Sequence, residues 1–247
     1  MIDGSERFDA LLRAAQHDPD ILAFWLDGSR GKGRATAHSD YDCTLIVSDA
    51  AWAVRAERWP PYPGLDLTVR TLGQFEAAAG WGQPDAWDRY NYAYLAPLVD
   101  KTGRIVALMA EKACVPEAEA PGFIRASLDH FINQTYRALK CRRDGDACAA
   151  RLEAAEASGP LLDAFFALNG QRLKPYYKYL AWELATRPLD RCPWPAEALP
   201  ARMADLAAAE PTMLRETFNA AERLFRVEGY ASVFDAWGDA LAFMRAG

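Results

Sequence analysis

The stretch ILAFWLDGSRGKGRATAHSDYDCTLIV, residues 21–47, decides how this chain is read. Residues 21–26 form a short apolar run between Asp18-Pro19 and Gly28-Ser29, the pattern of a buried strand feeding a turn. A glycine-rich, basic loop follows. Asp40-Tyr41-Asp42 then opens a second strand that continues from Cys43 to Val47. In extended chain, residues i and i+2 share a side, so Asp40 and Asp42 aim at one point while Tyr41 faces away. Two carboxylates held together repel unless a proton or a cation lies between them. Mg2+, a hard ion that prefers oxygen, suits them, especially where substrate phosphates complete its shell.

Upstream, Phe8, Leu11, Leu12 and Ala15 recur at the spacing of one buried helix face. Downstream, beyond the breaker WPPYPG, Leu65–Val69 reads as a third strand. Tyr94–Val99 reads as a fourth, closed by the turn Asp100-Lys101-Thr102-Gly103, and residues 105–113 as a short amphipathic helix. Asp66 lies between Leu65 and Leu67 and so points away from them. If the second and third strands are neighbours, it joins Asp40 and Asp42. Three convergent carboxylates can hold two metal ions about 3.5–4 Å apart, which clamps the attacking and leaving oxygens of an in-line displacement.

The texture changes near Pro116. VPEAEAPG (115–122) reads as a linker, after which Phe123, Leu128, Phe131, Thr135, Tyr136 and Leu139 keep a helical period. Further helices are expected over 147–168, 172–186, 197–208, 211–225 and 230–245, with Gly159-Pro160 kinking or splitting the first of them. The expected class is α+β: residues 1–115 form a mixed sheet with helices, and residues 116–247 an all-α helical bundle.

Composition narrows the function classes. With 51% hydrophobic, 25% charged and 12% aromatic residues, the 247-residue chain can build a core and is not a disordered one. A net charge of −6, with neither half cationic, argues against a partner made of duplex nucleic acid. Cysteines 43, 114, 141, 148 and 192 show no zinc-ligand spacing. The acidic, polar start is unlike a signal peptide, and no apolar run reaches the ~18 residues of a membrane span. A reducing, cytoplasmic setting away from membranes is expected.

Gly-Ser, a spacer, Asp-x-Asp and a lone Asp in a later strand resemble the nucleotidyltransferase superfamily of the DNA polymerase β type. With Ser39 just before Asp40, the segment looks most like the bacterial aminoglycoside nucleotidyltransferases. The strict match covers residues 28–66, and the layout of α/β unit then helices extends it loosely to the whole chain. The resemblance implies transfer of a nucleoside monophosphate from an NTP, ATP being the expected one, to a hydroxyl of a small acceptor, with release of pyrophosphate. It implies a catalytic first domain, a substrate-binding second domain and, if the acceptor is an aminoglycoside, a part in antibiotic resistance. Gly28 and Ser29 match the residues that cradle the triphosphate. Asp40 and Asp42 match the metal pair, and Asp66 the third carboxylate, a ligand of two Mg2+ ions or the base that takes the acceptor's proton. A separate base is also open, with Glu76, Asp85 and Asp88 as candidates. An RNA- or protein-directed transferase of the antitoxin type and a non-catalytic nucleotide-binding module are the alternatives. The long helical half counts against the first and the full carboxylate set against the second. The oligomeric state is not legible.

Other charged residues have two readings each. Arg30, Lys32 and Arg34 are phosphate contacts or a solvated loop, and His38 reads as a turn residue. Lys112 reads as a helix C-terminal charge rather than a triphosphate contact. In KPYYKYL, Lys174 and Lys178 share a helix face with Tyr177 beside them, suited to a triphosphate and a base, or else simply packed. Lys140, Arg142 and Arg143 end a helix, where cations are favoured. The aromatic segments Trp87–Tyr94 and Tyr176–Trp182 are expected to wall the acceptor pocket.

Overall fold

The computed structural model describes residues 4–246. The chain divides into two compact units, Met1–Cys114 and Val115–Gly247. In the first, α1 (Gly4–His17) leads into β1 (Ile21–Leu26), the one-turn helix α2 (Gly28–Gly31) and β2 (Tyr41–Val47). Two short helices, α3 (Asp49–Ala53) and α4 (Arg55–Arg58), precede β3 (Leu65–Thr71). The unit ends with α5 (Leu72–Ala77), a 3-10 helix (Ala86–Tyr92), β4 (Val99–Asp100) and α6 (Ile105–Lys112). The sheet is mixed, in the order β3-β2-β1-β4. β1 is antiparallel to β2 and β4, while β2 and β3 are parallel.

Both faces of β1 and of most of β2 are covered, which is why those two strands read as apolar runs, while β3 (LDLTVRT) alternates between buried and exposed residues at its start. On one face Phe24, Leu45, Val47 and Leu65 pack with Leu11 and Ala15 of α1 and Ala51 of α3. On the other, Ala23, Trp25 and Ile46 pack with Phe75, Tyr92, Ile105 and Met109. Each fully buried side chain of this size contributes about 1.5–3 kcal/mol.

The fourth strand is shorter than expected. Only Val99–Asp100 pairs with β1. Tyr94 has φ +67°, a left-handed conformation that no regular strand residue adopts. Just before it, the buried Lys32 ammonium collects the carbonyls of Tyr90, Asn91 and Ala93, so those groups are bound to a side chain instead of a strand.

In the second unit α7 (Ala120–Arg143) and α8 (Ala147–Leu168) form a hairpin, followed by α9 (Tyr177–Thr186), α10 (Leu199–Leu206), α11 (Pro211–Val227), α12 (Ala231–Asp235) and α13 (Ala240–Arg245). The bundle core is aromatic, with Phe131, Phe218 and Phe234 in one run and Phe165, Phe225 and Tyr230 in another. Three expectations are corrected here. The linker 115–122 ends inside α7, where Pro121 occupies the first turn and needs no hydrogen-bonded N–H. Gly159-Pro160 does not split α8. The cost of an interior proline, about 3 kcal/mol, is outweighed by a buried face that includes Ala154, Ala157, Leu161 and Phe165. The expected helix 230–245 breaks in two at Gly238, which has φ +50°. Among the described residues no helix is long and apolar enough to cross a membrane.

Candidate functional site

The parallel pairing of β2 with β3 sets Asp42 in register with Asp66. Neighbouring strands lie about 4.8 Å apart, so the two carboxylates stand side by side. Asp40 precedes Asp42 by two residues at the entry to β2 and is exposed, as is Asp66. Leu65 and Leu67 turn to the opposite face, into the α1 side of the core, and Tyr41 stacks on Phe8 of α1 with ring centroids 5.3 Å apart. The acids therefore share one edge of one sheet face, where β1 ends and β2 and β3 begin.

The loop after β1 is fitted to that edge. Gly28 has φ +56°, and a Cβ there would meet the Asp42 Oδ2 at 2.3 Å. No other residue allows this approach. Gly31 is equally constrained, because its Cβ would lie 2.1 Å from the Leu26 carbonyl oxygen. Ser29 donates from Oγ to Ser39 Oγ at 2.9 Å. Arg30 donates to the carbonyls of Asp40 (2.8 Å) and Ser39 (2.7 Å), with its guanidinium carbon 3.9 Å from the Tyr41 ring centre. It braces the entry to β2. Lys32 is neither a phosphate contact nor a solvated residue but a buried tie, as its three carbonyl bonds require. Arg34 is exposed, with its N–H on the Ser29 carbonyl at 2.7 Å. His38 is exposed in a turn, its N–H donating to Thr36 Oγ1.

A fourth acid belongs to the group. Asp27 is held by Trp25 Nε1 at 2.8 Å and by Thr44 Oγ1 at 2.5 Å. Burial pushes its carboxyl up to about 6, against those two hydrogen bonds, and the charges of Asp42 and Asp88 push the same way. Extending the two-residue period of β1 through Ala23 and Trp25 points to Asp27, because the bulge in β1 lies before Ala23. The turn signal at Gly28 hides it.

A concavity of about 410 Å³ opens beside these acids, lined by Asp40, Trp59, Pro61, Tyr62, Gly64 and Asp66 among others. The WPPYPG breaker is thus also a wall. None of residues 87–94 lines this concavity. Tyr90 and Tyr92 are buried, Tyr92 in the second-face core, and Trp87 is 71% exposed. The candidate bases have other partners. Glu76 pairs with Arg104, Asp85 accepts the Ala79 N–H at 2.7 Å, and Asp88 accepts from Asn91 Nδ2. Lys112 is buried and donates to the carbonyls of Glu76 (2.9 Å) and Ala78 (2.6 Å), so it serves the end of α5 rather than its own helix.

The donor chemistry of Asp40, Asp42 and Asp66 fits Mg2+: oxygen only, side by side. No three His, Cys, Asp or Glu among the described residues are drawn into a ready-made metal cluster. Full convergence of the three carboxylates is therefore corrected to a shared edge, since three anions at one point repel. Mg2+ binds through one or two carboxylates plus substrate phosphates rather than in all-protein cages, and an edge of adjacent acids meets that need.

In the second unit Lys174 lies outside α9, which begins at Tyr177. Pro175 disfavours the helical conformation for the residue before it. The expected shared face with Lys178 does not exist; Lys174 Nζ lies 5.1 Å from the Tyr177 ring centre and Lys178 Nζ 4.9 Å from that of Tyr179. Asp163 of α8 is nearby in charge. Burial pushes its carboxyl up to about 6, opposed by Lys174. Burial likewise raises the Tyr177 hydroxyl, helped by the charges of Asp163 and Glu156.

No family model matches the chain, and no curated protein matches it either. Among solved structures it is similar to a nucleotidyltransferase-like protein from Exiguobacterium sibiricum 255-15. The match covers 87% of this chain and 78% of that one, with 11% sequence identity and a TM-score of 0.36. A likeness of that size assigns neither family nor function.

Proposed function

We propose that the protein transfers a nucleoside monophosphate from an NTP, with ATP the expected donor, to a hydroxyl of a small acceptor. The observation that carries this reading is the pairing of Asp42 with Asp66 under a glycine whose Cα leaves no room for a Cβ beside Asp42. Mg2+ held by Asp40 and Asp42 would neutralise the triphosphate and so favour charge build-up on the departing oxygens. The chain's own residues do the positioning. Gly28 lets the backbone come close to the phosphates, and the Ser29 hydroxyl can turn from Ser39 to a phosphate oxygen. Arg30 holds the entry to β2, and with it Asp40, in place. The acceptor lies in the concavity between Asp66 and the rings of Trp59 and Tyr62. Its hydroxyl gives a proton to the Asp66 carboxylate, its oxygen bonds to the α-phosphorus, and the bond to pyrophosphate breaks. Positioning of this kind and fixed charges account for most of such a rate enhancement. Acidic walls beside aromatic ones suit an amine-bearing sugar, the aminoglycoside class. Within the second unit, Lys174, Tyr177 and Lys178 are proposed as nucleotide contacts.

The test is purified protein with each NTP, Mg2+ and a panel of aminoglycosides and other polyols, read by pyrophosphate release. Asp42→Asn and Asp66→Asn should each lower turnover by about 100-fold or more, in line with the loss of one charge-stabilising group, with unchanged circular dichroism. Turnover near wild type in Asp42→Asn refutes the site. NTP binding without pyrophosphate release for any acceptor favours a nucleotide-binding module.

A further inference from the structure

The arginines at the end of α7 have a role that helix-end electrostatics does not exhaust. Arg142 and Arg143 line a cavity of about 280 Å³ together with Leu139, Pro211, Arg215 and Phe243. Three elements meet there: the last turn of α7, the first turn of α11 and the middle of α13. Arg142 pairs with Glu210 at 3.2 Å and Arg143 with Asp144 at 2.8 Å, and at least one partner in each pair is well exposed. Exposed pairs of this kind are worth roughly 0–1 kcal/mol, so either arginine can exchange its partner for a better anion. Arg215 differs from both. Its Nε is buried with no hydrogen-bond partner. Its guanidinium carbon lies 5.9 Å from the centre of the Phe243 ring. Phe243 also carries Arg143 at 5.7 Å on its ring.

Three guanidinium groups line one cavity, two of them held only by exposed ion pairs, and such a concentration of positive charge suits an oxygen-rich anion. Planar forks match phosphate or carboxylate oxygens in pairs, and three forks match the three terminal oxygens of a phosphate monoester. The remaining lining is apolar, from Leu139, Pro211 and the Phe243 ring, which suits a carbon-bearing ester better than a bare ion. We propose that this cavity binds a phosphorylated small molecule, with its phosphate held by Arg142, Arg143 and Arg215 and its organic part against Phe243.

The site is separate from the lysines at 174 and 178. The hairpin of α7 and α8 is about 33–36 Å long at 1.5 Å per residue, and the arginines sit at its connecting turn. Residues 171–178 follow the opposite end, where the Gln171 carbonyl accepts the Val115 N–H at 2.8 Å, just ahead of α7. The proposal does not depend on nucleotidyl transfer.

Calorimetry on the full chain in EDTA, with phenyl phosphate, inorganic phosphate and phenol as separate probes, tests it. Phenyl phosphate should bind at least tenfold tighter than either of the others. Arg215→Gln should weaken it at least tenfold and Arg142→Gln several-fold, while Asp42→Asn leaves it unchanged. Arg142 is only 30% exposed but its head lies at the surface beside Glu210, so Arg142→Gln keeps the test valid if Arg215→Gln fails to fold. No heat with phenyl phosphate, or equal binding by the wild type and both arginine variants, overturns the proposal. Tighter binding of a short duplex RNA than of phenyl phosphate, lost in Arg142→Gln, overturns the assignment to a small molecule.

Discussion

Asp163 should make the protein less stable as pH rises through the weakly acidic range, and its removal should reverse this. Its carboxyl is pushed from the ordinary 3.8 up to about 6 by burial, and the charge of Lys174 offsets only part of that. The folded chain therefore keeps a proton between those values where the unfolded chain has lost it. Stability is full below 3.8, falls as pH rises to about 6, and is flat above. At 1.36 kcal/mol per pH unit the whole loss is about 3 kcal/mol at most, of which about 2.5 kcal/mol develops between pH 4 and 7.5. Asp163→Asn keeps the shape and does not titrate. Its stability minus that of the wild type should grow by about that amount over the interval. With urea slopes of about 1–3 kcal/mol per M, the difference in midpoint should widen by about 1 M. Lys174→Ala should extend the wild-type decline to higher pH, because the cation that favours the carboxylate is gone, and should have no such effect in the Asp163→Asn background. A midpoint difference that stays constant from pH 4 to 7.5 would refute the reasoning.

Three further outcomes are expected from thermal or urea unfolding. Gly28→Ala should cost about 1–3 kcal/mol, from a strained positive φ and the contact with Asp42, and Asp42→Ala added to it should recover part of the loss; additive losses would mean the contact is not the cause. Lys32→Met should cost about 2–4 kcal/mol, since it takes the ammonium from the carbonyls of residues 91 and 93 while the Tyr90 carbonyl keeps the Ala93 N–H, and a loss below about 0.5 kcal/mol would mean that water replaces the ammonium. In the bundle, Arg172 and Glu183 pair at 2.9 Å with their side chains 6% and 4% exposed. Glu183→Gln should cost about 3–5 kcal/mol by leaving a buried charge uncompensated, while Arg172→Met with Glu183→Leu should cost less than Glu183→Gln alone.

The long strands and the acid pair are legible because they rest on local rules. Apolar runs give β1 and most of β2, and the two-residue period puts Asp40 and Asp42 on one side of the chain. The partnership of Asp42 with Asp66 depends on which strand lies beside which, and no local rule supplies that. Features decided at long range are misread. Residues 94–99 have strand-like composition, but Lys32, about sixty positions earlier, claims the backbone just before them. Lys174 and Lys178 have helical spacing, yet Pro175 between them forbids it, a local signal that the spacing argument passes over. The capping box Thr71–Gln74 at the start of α5 is equally local, and is masked by a helix too short to show a period. Pro160 errs the other way: a local breaker is overruled by the packing of α8 on α7.

The position of the acids follows from how far the core extends along the strands. On the sheet face that carries Trp25, side chains go from Ala23 and Ile46, fully buried, to Thr44, buried but hydroxylic, and then to Asp27, Asp42 and Asp66. Trp25 marks the change, with its ring in the core and its N–H on Asp27. Three acids on so short a stretch raise one another's energy, and nothing apolar can replace them at a strand end open to water without exposing itself. Such a cluster is tolerated where a cation or a proton is to be received. The same edge is where Gly28 gives up its side chain to let Asp42 stand close. A fold selected for stability alone would keep neither feature, and their coincidence at one strand end is the reason to look for the reaction there.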